Sequence, residues 1–180
     1  MATREDFARV FSRLNIDSRG YLDSSPFSRF DNYLPNASAD CRIGVVWVTC
    51  PMVELCSNDD EIAGLLGHEL GHIQMQHHID RHLKDYYTRE AEANVYAHII
   101  MNLLGYDTER AFQLDIKLRK YPGVTEALAE ENLTIEEVRN NLIYGRSLRD
   151  ENITKNVIAK CSFGKRSSSD AMWYAVNKRW

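Results

Sequence analysis

The sequence predicts an α+β fold, mostly helical, with a small β-sheet whose strand leads into the helix that carries the chemistry. Three observations predict it. The run Ile43 to Thr49 (Ile-Gly-Val-Val-Trp-Val-Thr) has the β-branched and aromatic content of a strand. Several segments repeat apolar residues at helical spacing between capping residues and glycine or proline breakers. The stretch from Asp59 to Met75 reads as one buried helix and contains Gly67-His68-Glu69-Leu70-Gly71-His72.

A chain of 180 residues fits one domain with a real core, so residues 1–180 are read as a single unit. Residues 1–40 form its N-terminal helix and loop, 41–120 its core, and 121–180 a C-terminal helical part. A net charge of −4 gives no case for nucleic acid or an anionic membrane as partner. No apolar run approaches the roughly 20 residues of a membrane span. The N-terminal residues turn acidic and amphipathic, so no signal peptide is expected. Cys41, Cys50, Cys56 and Cys161 contain no C-x-x-C pair and are too scattered for a disulfide scaffold. A cytoplasmic setting is expected, with a Cys41–Cys50 or Cys50–Cys56 bridge left open, as is the oligomeric state.

Thr3 to Asn15 predicts a first helix, capped by Thr3 with Asp6 three residues on. Phe7, Val10, Phe11 and Leu14 make its core-facing stripe. From Ile16 to Asp40 the chain is rich in Ser, Asp, Asn and Pro and reads as one long ordered loop able to cover a cleft. The strand at Ile43–Thr49 is expected at a sheet edge, where it can pair with an extended peptide, and Pro51 is expected to end it. Asn58 with Glu61 then caps the next helix, and Asp59 and Asp60 suit its positive end.

Within that helix His68 and His72 are four apart, so both imidazoles point to one spot. Two nitrogen ligands from one rigid turn suit zinc. Glu69 projects beside them, placed to take a proton from a water without itself ligating. This is the H-E-x-x-H pattern of metal-assisted peptide hydrolysis. A histidine pair at this spacing is often only a solvated face, but here three ionisable groups interrupt an apolar run, where unpaired charge is costly. Gly64, Gly67 and Gly71 each weaken the helix by roughly 1 kcal/mol relative to alanine. Both penalties are accounted for by a ligand and by close backbone packing.

Beyond His72 the run through His77, His78 and His82 is polar. His78 and His82 are also four apart, and a solvated surface is the better reading of them. Thr88 opens a helix that ends at Gly105, with Ala93, Ala97, Ile100 and Leu104 on its buried face. A catalytic zinc needs a third protein ligand, and Glu90 supplies the carboxylate. Asn94, one turn on, can orient a ligating histidine. Glu92 is the rival ligand, but it points about 200° away, so only one of the two faces the metal. Asp107 or Thr108 caps a helix to Lys120, broken by Pro122-Gly123. Thr134 with Glu137 caps another, to about Leu148. Residues 155–180 hold six Lys/Arg against one Asp, with Trp173, Tyr174 and Trp180. Such a tail could touch RNA or a membrane surface, but Trp173 and Tyr174 packing a final helix is the better reading.

Together these residues resemble the HtpX and CAAX prenyl endopeptidase family of gluzincin zinc peptidases. The shared features are the strand, the apolar turn Pro51 to Leu55, the lead-in Asp60-Glu61-Ile62-Ala63-Gly64, H-E-x-G-H, and a further histidine at His77. The third-ligand motif E-x-x-A-D maps to Glu90, Ala93 and Asn94, and Gly105-Tyr106-Asp107 follows. The resemblance covers residues 43 to 120. It implies a soluble zincin-like metallopeptidase core holding one Zn2+ per chain through His68, His72 and Glu90, with Glu69 as general base on protein or peptide substrates. Asn94 departs from the family's Asp, no membrane spans flank the core, and no His-Pro segment follows, which leaves the oxyanion stabiliser unassigned. E-x-E-A-N also resembles the ImmA/IrrE-type peptidases that cleave repressors. The remaining alternative is a zinc-stabilised binding module without turnover.

Overall fold

The computed structural model describes residues 2–15, 21–22, 34–77, 84–124 and 133–161. It is mostly helical, with a small sheet. Helix α1 (Arg4–Leu14) opens on the expected capping box of Thr3 with Asp6 and buries Phe7, Val10, Phe11 and Leu14. That stripe packs on the helix bearing H-E-x-x-H.

Strands β1 (Tyr21–Leu22), β2 (Ala37–Asp40) and β3 (Val45–Val48) form one sheet in the order β1-β3-β2. β1 runs parallel to β3, and β2 runs antiparallel to it with Ala37 opposite Val48 and Asp40 opposite Val45. This corrects the edge-strand expectation for Ile43–Thr49: β3 is the central strand, with its backbone paired on both sides. β1 and β2 are the two edge strands, and β2 is the one whose residues line the cleft. The Ile16–Asp40 stretch therefore contributes strands as well as loop, and its residues 16–20 and 23–33 lie outside the described residues.

Pro51 does not simply end β3. It sits in the first turn of a short helix, α2 (Cys50–Leu55), where its missing N–H costs nothing. Thr49 at its N-cap uses its hydroxyl elsewhere, donating to the Leu34 or Asn36 carbonyl and accepting from the Asn36 N–H. The sheet margin is thus pinned to the segment before β2.

Helix α3 (Asp59–Gln74) starts at Asn58, whose side chain accepts from the Glu61 N–H. Glu61 does not complete a box with Asn58. Its carboxylate accepts from the Ser57 N–H and pairs with Lys117 of the later helix α5 (Thr108–Lys120). Helix α4 (Tyr86–Leu104) begins three residues earlier than Thr88 suggests, because Asp85 caps it through the Thr88 N–H. It ends at Gly105 in the left-handed region, φ 78°. Every residue from Ala91 to Met101 is buried, so α4 is the central helix, and Leu104 at its end is only partly covered.

The three α3 glycines mark where α4 and α5 press against it, and α3 and α4 run antiparallel. A Cβ on Gly71 would lie 2.8 Å from the Ala93 Cα and 2.9 Å from its carbonyl oxygen. One on Gly67 would meet the Ala97 Cα at 3.2 Å, and one on Gly64 the Ala111 Cβ at 2.8 Å. The glycines are the condition for the close approach that faces the α3 histidines with α4.

Helix α5 (Thr108–Lys120) is capped by Asp107. Helix α6 (Ile135–Tyr144) has the expected Thr134–Glu137 capping box but stops short of Leu148, at Gly145 with φ 63°. Helix α7 (Asn152–Lys160) follows, and Trp173 and Tyr174 lie outside the described residues. All four cysteines are described, and no disulfide joins them. No described helix is long and apolar enough to cross a membrane.

Candidate metal centre

The antiparallel pairing of α3 and α4 sets His68 and His72 opposite the first turns of α4. Their Nε2 atoms lie 3.0 Å apart. The Glu90 carboxylate reaches both, Oε2 at 3.3 Å from His68 Nε2 and Oε1 at 3.5 Å from His72 Nε2. One ligand atom from each of the three residues falls within 4.8 Å of the other two. Two imidazole nitrogens and a carboxylate oxygen on rigid helices are the donor set of a catalytic zinc site, so the residues present fit that ion.

Each imidazole is also held from its far side. Asn94 Oδ1 lies 2.9 Å from His68 Nδ1, the orienting contact that the sequence leads one to expect. His72 Nδ1 lies 2.7 Å from His77 Nδ1, and His77 Nε2 lies 2.9 Å from Glu92 Oε2. Lys84 Nζ closes the series on Glu92 at 2.6 Å. Glu92, the rival for third ligand, is thus fully buried and committed to His77 and Lys84. Burial works against its charge, but these two donors hold its carboxyl below the usual range. His78 and His82 lie outside the described residues, and no second histidine cluster forms among those that are described.

The site's electrostatics follow from burial and crowding. Burial opposes charge on His68, yet hydrogen bonding and the negative charge of Glu90 outweigh it, and its pKa rises to about 9. Burial, then the neighbouring His68 charge, drives His72 down to about 3. Before metal enters, the crowded nitrogens therefore share one proton, held on His68 next to Glu90. Glu69 is buried beside them, and burial lifts its carboxyl to about 7, with His68 acting the other way.

His68, Glu69, His72 and Glu90 line one cleft of about 500 Å3, bounded on one side by β2 and on the other by α5 and α6. The cleft also takes in Tyr86, Arg89, Asp115 and Arg119. None of these four is prominent in the sequence. Asp115 had one legible sign, a carboxylate in an otherwise apolar helical stripe.

Helix-borne His2Glu donors beside a buried carboxylate form a set that could hold one metal ion. The family model described as Peptidase family M48 matches residues 29–134, more than half of the chain, and spans all four of these residues. The chain belongs to peptidase family M48, a family of metallopeptidases. No curated protein and no solved structure matches it.

Proposed function

We propose that the chain is a zinc-dependent endopeptidase of zincin-like fold, a single catalytic domain acting on protein or peptide substrates. The observation that carries this reading is the convergence of His68, His72 and Glu90 to within 4.8 Å, with Glu69 lining the same cleft. His68 Nε2, His72 Nε2 and a Glu90 oxygen would hold the ion. Zinc bound there supplies a polarised water and a Lewis acid for the scissile carbonyl. Glu69 then takes a proton from the attacking water onto its carboxylate and hands it to the departing amine nitrogen. A carboxyl whose pKa stands near neutrality suits both halves of that transfer. The available edge of β2, at the cleft wall, offers backbone groups to an extended peptide, the role the sequence assigned to β3.

The repressor-cleaving reading rests on the motif E-x-E-A-N from Glu90 to Asn94, in which Asn94 is the departure from the E-x-x-A-D pattern. The contact that Asn94 makes with His68 needs only a carbonyl oxygen, which Asn and Asp both provide, so the substitution does not favour it. The test is hydrolysis of an unfolded protein by the zinc-loaded chain, stopped by chelation and restored by added zinc. Fully loaded protein that leaves a broad peptide library intact would favour the binding module.

A further inference from the structure

Helix α5 carries a carboxylate where an apolar residue is expected. Ala111, Leu114, Asp115 and Leu118 stand at positions i, i+3, i+4 and i+7, and all four line the cleft into which His68 and Glu69 open. Ala111 and Leu114 are buried and Leu118 is partly so. Asp115 itself is half-buried, so its carboxylate keeps some contact with solvent but loses part of its hydration to the apolar stripe. Among the described residues the Asp115 carboxylate has no side-chain hydrogen bond or ion pair, only its own backbone N–H. It is not part of the metal cluster. Arg119, one turn on, donates to the Leu133 carbonyl at 2.6 Å, and Arg89 on the opposite wall lies over the Tyr86 ring at 5.7 Å.

We propose that Asp115 forms a substrate subsite for a cationic side chain, lysine or arginine, beside the scissile bond. An ammonium or guanidinium supplies the partner that the carboxylate lacks, and Leu114 and Leu118 flank it with aliphatic surface suited to a long methylene stem. Burial lifts the Asp115 carboxyl to about 6, with the positive charges of His68 and Arg119 acting the other way, and a cation seated on the carboxylate offsets that lost hydration. The subsite gives the enzyme a preference for basic sequences. It rests on the peptidase reading and deepens it.

The test uses peptides that are identical except for arginine or citrulline, its neutral isostere, placed in turn at each position around the cut. With zinc-loaded wild type, kcat/KM at one position should favour arginine by about tenfold or more, the scale of one charge-assisted hydrogen bond. Asp115→Asn should bring that ratio towards one, and Asp115→Glu should restore part of it. Equal rates for both peptides in the wild type, or an unchanged ratio in Asp115→Asn, would overturn the subsite. The wild-type ratio needs no variant, so it decides the question even if the variants fold poorly. Binding of the same peptides to zinc-loaded Glu69→Gln protein separates the two claims. Preference in binding without turnover in the wild type keeps the subsite and removes the peptidase. Turnover without preference does the reverse, and absence of both removes both.

Discussion

His77 Nδ1 lies 2.7 Å from His72 Nδ1, so the imidazole behind the candidate ligand is another imidazole. The direction of this contact follows from chemistry. If His72 offers its Nε2 lone pair to a metal, its proton sits on Nδ1 and is donated to His77 Nδ1. His77 must then carry its own proton on Nε2, which it donates to Glu92 Oε2 at 2.9 Å. The tautomer of a metal-facing histidine is thereby set by a carboxylate on the neighbouring helix, two hydrogen bonds away.

His77→Ala should therefore weaken zinc binding by about 10- to 100-fold, the usual scale for losing an outer partner of a ligating histidine. Competition against a chromophoric chelator measures it. Unchanged affinity would mean that His72 needs no orienter. Glu92→Gln still accepts from His77, so it should cost less than His77→Ala.

On the other ligand, Asn94→Asp should hold zinc at least as tightly as wild type, because a carboxylate oxygen replaces the amide oxygen that His68 meets at 2.9 Å. Asn94→Leu removes the acceptor and should lose about tenfold or more in affinity. Equal affinity in the leucine variant would show the contact to be incidental.

Zinc binding should also be coupled to pH in a definite direction. In the metal-free protein His68 has a pKa of about 9, and Glu90 is held at about 2 because, although burial raises it, the histidines lower it further. Between pH 6 and 8 the ion thus competes with one proton on His68 and with none on Glu90. Affinity should fall at least about tenfold for each unit the pH is lowered in that range, with at least the His68 proton released per zinc. Calorimetry in buffers of different ionisation enthalpy reads the proton directly, and pH-independent affinity would contradict the assignment of His68.

The helix pair has its own test. Gly71→Ala puts a methyl 2.8 Å from the Ala93 Cα, which is backbone and cannot swing aside. It should cost about 1–3 kcal/mol in spite of alanine's better helix propensity, and melting temperature reports it. Gly67→Ala, at 3.2 Å from the Ala97 Cα, should cost less. A Gly71→Ala protein that melts with or above wild type would show that α3 and α4 are not locked there.

Local rules made much of this molecule legible. The caps at Thr3, Asn58 and Thr134 and the α1 stripe are encoded within a few residues, and the structure shows them. Gly64, Gly67 and Gly71 were readable as close approach because a buried helix otherwise has no reason to carry them. β2 was not readable: Ala-Ser-Ala-Asp has no strand propensity, and its pairing comes from β3. Pro51 can end a strand or open a helix, and only the fold decides which. The His72–His77–Glu92 series was hidden because His77, just past the end of α3, meets Glu92 on α4, a contact that no spacing within one helix reveals.

The most direct test of the account compares Glu69→Gln with wild type, both loaded with zinc. Glutamine keeps the size of Glu69 and removes the base, and Glu69 lies outside the three-residue cluster. Zinc content and melting temperature should stay at wild-type values while peptide hydrolysis falls by at least about a hundredfold. Hydrolysis that persists at the wild-type rate in the zinc-loaded variant would contradict Glu69 as the base, and with it the proposed chemistry of the cleft.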